Sequence, residues 1–234
     1  MTGVGAVTAI LAAAGRGVRL GSRKQLLAFQ GKPLAAWSLE TFAACPLVTD
    51  IVVVCEADEH EAFVALSRDR GGGKVRAVVS GGERRQDSVY AGLRAAPAQT
   101  AIAIVHDGAR PFVTGEQIEA VLAAAREGGA AILAVPEKET VKQAGEGGAV
   151  ARTLPREALW HAQTPQAFEF GILMRAYAAA EQGGFVGTDC SMLVEAAGET
   201  AVRIVEGSYD NVKITTPEDL IIAEHIARAR LGAT

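Results

Sequence analysis

Arg16, Arg19, Arg23 and Lys24 crowd into one short stretch, "AAAGRGVRLGSRKQ", interleaved with Gly15, Gly17 and Gly21. No Asp or Glu precedes Glu40, although the chain of 234 residues carries a formal net charge of −4. Positive charge is therefore gathered here against the overall balance. It lies on a glycine-rich turn whose backbone N–H groups an oxygen can approach, which suits a phosphate-rich anion. Two familiar phosphate loops are excluded. No G-x-x-x-x-G-K-[ST] occurs, and the three glycines are spaced G-x-G-x-x-x-G, not the G-x-G-x-x-G of dinucleotide binding. That fingerprint also wants an acid about 20 residues on, so hydride transfer is disfavoured.

Further candidates follow at intervals. "SGGERRQDSV" sets Gly81 and Gly82 before Ser88 on an opening helix, a pattern that a plain turn and helix cap would also give. "HDGARPF" puts Asp107 at a strand end with Arg110 three residues on. A carboxylate beside a polyphosphate implies Mg²⁺; a capped turn and a surface ion pair are the plainer alternatives. "DNVKITTPEDL" places Lys213 in a strand-like stretch. His60, His106, His161 and His225 show neither metal nor triad spacing: His60 reads as part of an exposed acidic helix start, and His106 as a packing residue. No serine or cysteine sits in a G-x-S-x-G elbow.

That inventory of cations, glycines and one well-placed aspartate contains no tuned base, and this selects a chemistry. A phosphate monoester has a second pKa of about 6 and is already mostly dianionic at neutral pH. A reaction using it as nucleophile needs two anions brought together and charge stabilised at phosphorus, which is positioning and electrostatics. Nucleotidyl transfer onto a phosphate fits.

Elements able to hold these residues alternate along the chain. Apolar runs at 6–13, 50–55, 75–80, 101–106, 130–135 and 200–206 read as strands. Helical patterns open at Pro33, in "DEHEAFVALSRD", "RRQDSVYAGLRAA" and "GEQIEAVLAAAREGG", and after Thr216, a plausible N-cap. Such alternation predicts an α/β fold with a mostly parallel sheet covered on both faces, in a single domain spanning 1–234. The segment 137–155 breaks the rhythm as two polar strands around a glycine-rich turn. It is either a floppy surface hairpin or an arm that packs on a second copy of the chain. The pI of about 5.7 disfavours a nucleic-acid partner. Three cysteines without a paired spacing suit a reduced state. The N-terminus lacks a charged leader and no apolar run reaches membrane-spanning length, so a cytoplasmic location without membrane contact is expected.

With "AAAGRGVRLGSRKQ", "GGERRQDSV", "HDGARPF", "LWHAQTPQAF", "GTDCSMLVE" and "DNVKITTPEDL" in this order, the whole chain resembles the 2-C-methyl-D-erythritol 4-phosphate cytidylyltransferases of isoprenoid precursor synthesis. The resemblance implies a Rossmann-like domain with a projecting β-arm interlocked in a homodimer, and a reaction of CTP with methylerythritol phosphate that releases pyrophosphate. Mg²⁺ is implied mainly through the CTP phosphates, with no direct protein ligand assigned. The matching positions make Arg19, Lys24 and Lys213 catalytic. Ala13, Ala14, Gly15, Gly81, Gly82, Ser88 and Asp107 are placed at the nucleotide. Asp107, Arg110, Thr140, Arg156, Thr164 and Thr188 are placed at the acceptor, Thr140 and Arg156 reaching the partner's pocket. Arg23 stands where the family usually has proline, the stretch from Arg19 to Lys24 is a residue or two short, and Gly108 replaces a usual alanine. The fused cyclodiphosphate synthase domain of some relatives is expected to be absent. A cytidylyltransferase for another polyol phosphate, such as ribitol 5-phosphate, would share the CTP site. A nucleotide-binding module without turnover is the rival of a different class, against which the joint presence of Arg19, Lys24, Asp107 and Lys213 argues.

Overall fold

In the computed structural model, residues 5–15 and 24–231 are described. Strand β1 (Ala6–Ala12) is an apolar run buried from Val7 to Leu11. A short pair, β2 (Ala28–Phe29) and β3 (Lys32–Pro33), leads into helix α1 (Leu34–Ala44), with Pro33 at its N-cap. There follow β4 (Asp50–Cys55), α2 (His60–Arg70), β5 (Val75–Ser80), α3 (Arg85–Arg94), β6 (Thr100–Asp107), α4 (Gly115–Gly128) and β7 (Ala130–Pro136). The chain continues through β8 (Lys142–Ala144), β9 (Val150–Thr153), β10 (Trp160–Glu169), α5 (Phe170–Gly183), α6 (Cys190–Ala197), β11 (Arg203–Glu206) and α7 (Pro217–Leu231).

Seven strands form one sheet in the order β11-β7-β10-β6-β1-β4-β5. All neighbours pair in parallel except β10, which runs antiparallel to both β6 and β7. Alternate residues feed opposite faces: Val7, Ala9 and Leu11 of β1 join one core with Leu39, Phe63 and Ile118, while Ile10 joins the other with Leu93, Phe168 and Leu173. Helices thus cover both faces, as the apolar pattern requires. Helix α7 closes a third cluster, packing Ala223, Ile226 and Ala227 against Leu34, Phe112 and Ile214.

Strand order decides where a ligand can enter. From β1 the chain runs outward to β4 and β5, then returns across the sheet to β6 on the other side of β1. Connections leave β1 and β6 in opposite directions and open a crevice at their carboxyl ends, the usual ligand position in such sheets.

Most expected elements are present, with differences at the second half. The strand expected at 200–206 is confined to 203–206, and β10, α5 and α6 went unread. Strand β10 carries Pro165 and a register break between Ala162 and Gln166, features that argue against a central strand. Helix α5 follows β10 without a loop, and Glu169 makes no side-chain capping bond, so it lacks a start signal. Thr216 does cap α7: its Oγ1 accepts from Asp219 N at 3.4 Å, and Asp219 accepts back from Thr216 N at 2.9 Å. Strands β8 and β9 form the expected polar hairpin, exposed along both strands.

Candidate active site

The crevice holds two adjoining cavities. One, of about 370 Å³, is bordered by Ala14, Gly15, Gln25, Arg84 and Ser88; the other, of about 200 Å³, by Arg110, Gln163, Thr164, Thr188 and Asp189. Arg85, Asp107 and Lys213 border both, so the seam between the cavities is a charged cluster.

Asp107 ends β6 and is 6% exposed. Its Oδ1 lies 3.0 Å from Arg85 Nε and its Oδ2 2.7 Å from Lys213 Nζ, with Arg110 Nε 4.0 Å away. Burial alone would raise the Asp107 pKa; Arg85, Lys213 and Arg110 outweigh it and hold the carboxyl well below the usual range. Burial likewise opposes the Arg85 charge, but Asp107 more than restores it. Burial lowers the Arg110 pKa despite Asp107, and Arg110 Nε is a buried donor without a hydrogen-bond acceptor. Three cations around one carboxylate leave positive charge in excess at the seam, which suits phosphate oxygens entering from either side.

Each member is placed by its own element. Arg85 opens α3, whose first turn is fixed by the reciprocal pair of Arg84 and Asp87. Lys213 lies between Asn211 and Ile214. Ile214 N donates to Ala109 O at 2.9 Å, and Asn211 Nδ2 donates to Thr164 O at 2.9 Å. Lys24 turns back toward the site: it is buried, and its Nζ donates to Ile214 O at 3.3 Å. Ser88 is 3% exposed and its Oγ accepts from Gly82 N at 3.1 Å. A Cβ at Gly81 would meet Ala14 Cβ at 2.3 Å, so the two loops touch there and only glycine fits.

Ala14, Gly15, Ser88, Asp107, Arg110, Thr164, Thr188 and Lys213 border the two cavities; Lys24, Gly81 and Gly82 border neither and lie behind the wall, on Ile214, Ala14 and Ser88. Arg16, Arg19 and Arg23 lie outside the described residues. Ala13 is not at a cavity wall: it is 1% exposed in the core, its N–H bonded to Val54 O. Lys32, the next cation along the chain, lies away from the site, paired with Glu40 and over the Trp37 ring. Thr140 and Arg156 border neither cavity of their own chain. Arg156 is exposed and donates to Lys138 O at 3.3 Å. His60 is half-buried, not exposed, with Nε2 3.1 Å from Val78 O. Sequence reasoning missed Arg85, because "RR" does not say which arginine faces inward; helix phase sends Arg84 to Asp87 and Arg85 to Asp107.

Among the described residues no group of three or more His, Cys, Asp or Glu could hold a metal ion, and none of the helices is long and apolar enough to cross a membrane. Cys45, Cys55 and Cys190 are buried free thiols.

Comparison with known proteins agrees over nearly the whole length. A 2-C-methyl-D-erythritol 4-phosphate cytidylyltransferase of Pelotomaculum thermopropionicum is 50% identical over 229 residues, covering 97% of this chain and 96% of that one. The same-named protein of Geobacter metallireducens is 46% identical, covering 97% and 99%. The crystal structure of 4-diphosphocytidyl-2C-methyl-D-erythritol synthase from Anaerococcus prevotii superposes with a TM-score of 0.88 at 30% identity, covering 96% of this chain and 97% of that one. The sequence profile of one family matches residues 7–229, and by it the chain belongs to the 2-C-methyl-D-erythritol 4-phosphate cytidylyltransferases.

Proposed function

We propose that the chain transfers the cytidylyl group of CTP to the phosphate of 2-C-methyl-D-erythritol 4-phosphate, giving 4-diphosphocytidyl-2-C-methyl-D-erythritol and pyrophosphate. The observation that carries this reading is the pair of cavities meeting at Arg85, Asp107 and Lys213. A two-substrate displacement at phosphorus needs such a seam. In this reading the larger cavity takes the nucleotide, against Ala14, Gly15 and Ser88, with Gly81 packed behind Ala14 and Ser88. The smaller takes the acceptor, whose phosphate finds the Arg110 guanidinium with its unengaged Nε.

The acceptor's oxygen attacks the α-phosphorus, the bond to the β-phosphate breaks, and pyrophosphate leaves with the electron pair. No side chain need remove a proton, since the attacking phosphate is mostly dianionic. Lys24, Lys213 and Arg19 stabilise the charge that accumulates at phosphorus and on the leaving group. Asp107 keeps Lys213 and Arg85 aimed at the seam before substrate arrives, which lowers the cost of reorganisation. A magnesium ion carried on the triphosphate would be held through the nucleotide, in a cavity where Asp107 is already engaged by Arg85 and Lys213. Such an ion supplies neutralisation of phosphate charge.

The same reading makes 1–234 a single nucleotidyltransferase domain with 137–155 as a dimerisation arm. The hairpin packs none of its residues into its own chain and leaves Val150 62% exposed, and Thr140 and Arg156, exposed on or beside it, are placed in this reading at a second chain's acceptor cavity. A cytoplasmic enzyme with reduced cysteines agrees with three buried free thiols. The test is pyrophosphate release from CTP and Mg²⁺ with methylerythritol phosphate or ribitol 5-phosphate as acceptor. Release with the former alone is expected; release with ribitol phosphate alone would overturn the acceptor, and CTP binding without release from either would overturn the enzyme.

A further inference from the structure

His106 is fully buried one residue before Asp107 and borders neither cavity. Its ring lies 5.1 Å from that of Phe42. Its nitrogens nonetheless face the acceptor side: Nδ1 is 3.1 Å from Thr164 Oγ1, and Nε2 is 3.1 Å from the Arg110 carbonyl oxygen. Counting donors fixes the hydrogens. A carbonyl only accepts, so Nε2 carries the ring hydrogen. A neutral ring then has a bare Nδ1, and the hydrogen between it and Thr164 is the threonine's own. Burial keeps the ring neutral, pushing its pKa down to about 4.

Thr164 Oγ1 also accepts from the Asp107 backbone N–H at 3.0 Å. A directional chain therefore runs from Asp107 N–H to Thr164 Oγ1, from Thr164 O–H to His106 Nδ1, and from His106 Nε2–H to Arg110. Asn211 closes it into a ring, since its Nδ2 donates to Thr164 O at 2.9 Å and its backbone carbonyl oxygen accepts from Arg110 Nη1 at 2.6 Å. The reverse arrangement, with hydrogen on Nδ1, would free the threonine hydroxyl to donate into the cavity it borders. It would also set Nε2 and a carbonyl oxygen face to face as two buried acceptors, an unsatisfied and costly pair.

We infer that His106 is a positioning residue for the reaction. By holding the Thr164 hydroxyl proton it makes Thr164 a strut beneath Asp107, not a donor to the acceptor's phosphate, and by binding Arg110 O it fixes the turn that presents the Arg110 guanidinium. The inference rests on the smaller cavity being the acceptor's, and its first test does not. ¹⁵N NMR of the intact enzyme reads the imidazole directly, the His106 signal being the one lost in His106→Asn. The expected form is Nε2–H with bare Nδ1, alone and with saturating methylerythritol phosphate; an Nδ1–H form in either state overturns the inference.

Kinetics gives the second test. Thr164→Val breaks the link, and His106→Gln keeps a donor for Arg110 while losing the acceptor for Thr164. Each is expected to lower kcat/KM for the acceptor about tenfold, as for one buried hydrogen bond, leaving KM for CTP unchanged. The double variant is expected to lose no more than the worse single, because both changes remove one interaction, and Thr164→Ser, which keeps the hydroxyl, is expected to recover most of what Thr164→Val loses. Losses that multiply, or a Thr164→Ser as poor as Thr164→Val, overturn the inference. If wild-type enzyme does not turn over methylerythritol phosphate at all, the assignment of the cavity fails instead, and the NMR result still decides His106.

Discussion

Replacing Lys213 by alanine tests the proposed mechanism at its most accessible point. Lys213 Nζ is 2.7 Å from Asp107 Oδ2, and the side chain borders both cavities. In the free enzyme its charge is held by the carboxylate, so the variant loses little binding energy toward either substrate alone. What it loses is a cation aimed at the point where charge builds up as the new bond forms. Removing one preorganised donor costs about 10²–10³ in kcat. With 37% of the side chain exposed, water replaces part of the lost charge, which puts the expected loss at the lower end, about 10²-fold. The change removes one partner of a buried carboxylate, a cost of about 1–3 kcal/mol, and the fold should survive it because Asp107 keeps Arg85 at 3.0 Å. Pyrophosphate release at saturating substrates gives kcat, and calorimetric titration gives CTP affinity. Lys213→Arg is expected to recover part of the loss, since a planar fork restores charge but not a point donor. A kcat equal to wild type would remove Lys213 from the mechanism, and a loss confined to CTP affinity would make it a binding residue only.

Gly81→Ala drives a Cβ to within 2.3 Å of Ala14 Cβ and 2.6 Å of Ser88 Oγ; about 1–3 kcal/mol of stability should be lost and KM for CTP should rise, read by thermal melts and kinetics. Arg156→Ala is expected to weaken acceptor use, and mixing it with Lys213→Ala chains to restore some activity if sites are completed across a dimer; heterodimers no better than their parents would refute the shared site. Stability is expected to depend on pH through His106, whose pKa falls from 6.5 unfolded to about 4 folded, chiefly by burial, with the Arg110 carbonyl and Asp107 opposing and the charges of Arg110 and Arg85 also lowering it. Below pH 6.5 the unfolded chain binds a proton that the folded one refuses, so the contribution is complete above pH 6.5 and declines toward pH 4, up to about 3 kcal/mol in all. His106→Asn should flatten the melting-temperature profile in that window. Asp107 has the same sign of dependence, but its depressed pKa carries it to lower pH, so it contributes little to the slope there.

Much of this site was legible because its residues end strands. β1 and β6 are short apolar runs whose ends are marked by a change to glycine or charge, so Gly15 and Asp107 could be placed without coordinates. The polar hairpin read at 137–155 was equally plain from its composition, its strands falling at Lys142–Ala144 and Val150–Thr153. What sequence hides is phase and direction. Arg84 and Arg85 are chemically identical neighbours, and only the first turn of α3 separates the one that pairs locally from the one that crosses 22 residues to Asp107. Strand β10 is obscured because its central proline and glutamines look like a loop, while the structure uses Gln166 inward, on Asp189 and Cys190 N. Thr164 was marked only by the family resemblance, and whether its hydroxyl faces ligand or protein depends on a histidine 58 residues away.

The antiparallel strand has a consequence for the chemistry. Since β10 runs against β6, its start, not its end, lies beside the carboxyl tip of β6. This brings Gln163 and Thr164 to the crevice, and through Asn211 the segment carrying Lys213 is fastened to the same place. A parallel strand there would present its carboxyl end and a following loop, as β1 and β5 do on the nucleotide side. The two halves of the crevice are therefore built by different means: the ends of β1 and β5, closely packed where Gly81 meets Ala14, on the side proposed for the nucleotide, and a buried network of side-chain hydrogen bonds on the other. The first tolerates a ligand with many phosphate oxygens; the second holds Arg110, Asp107 and Lys213 in one fixed arrangement. In the proposed reaction the acceptor's single phosphate must be aimed, while the triphosphate must chiefly be neutralised, and each half of the crevice is suited to its part.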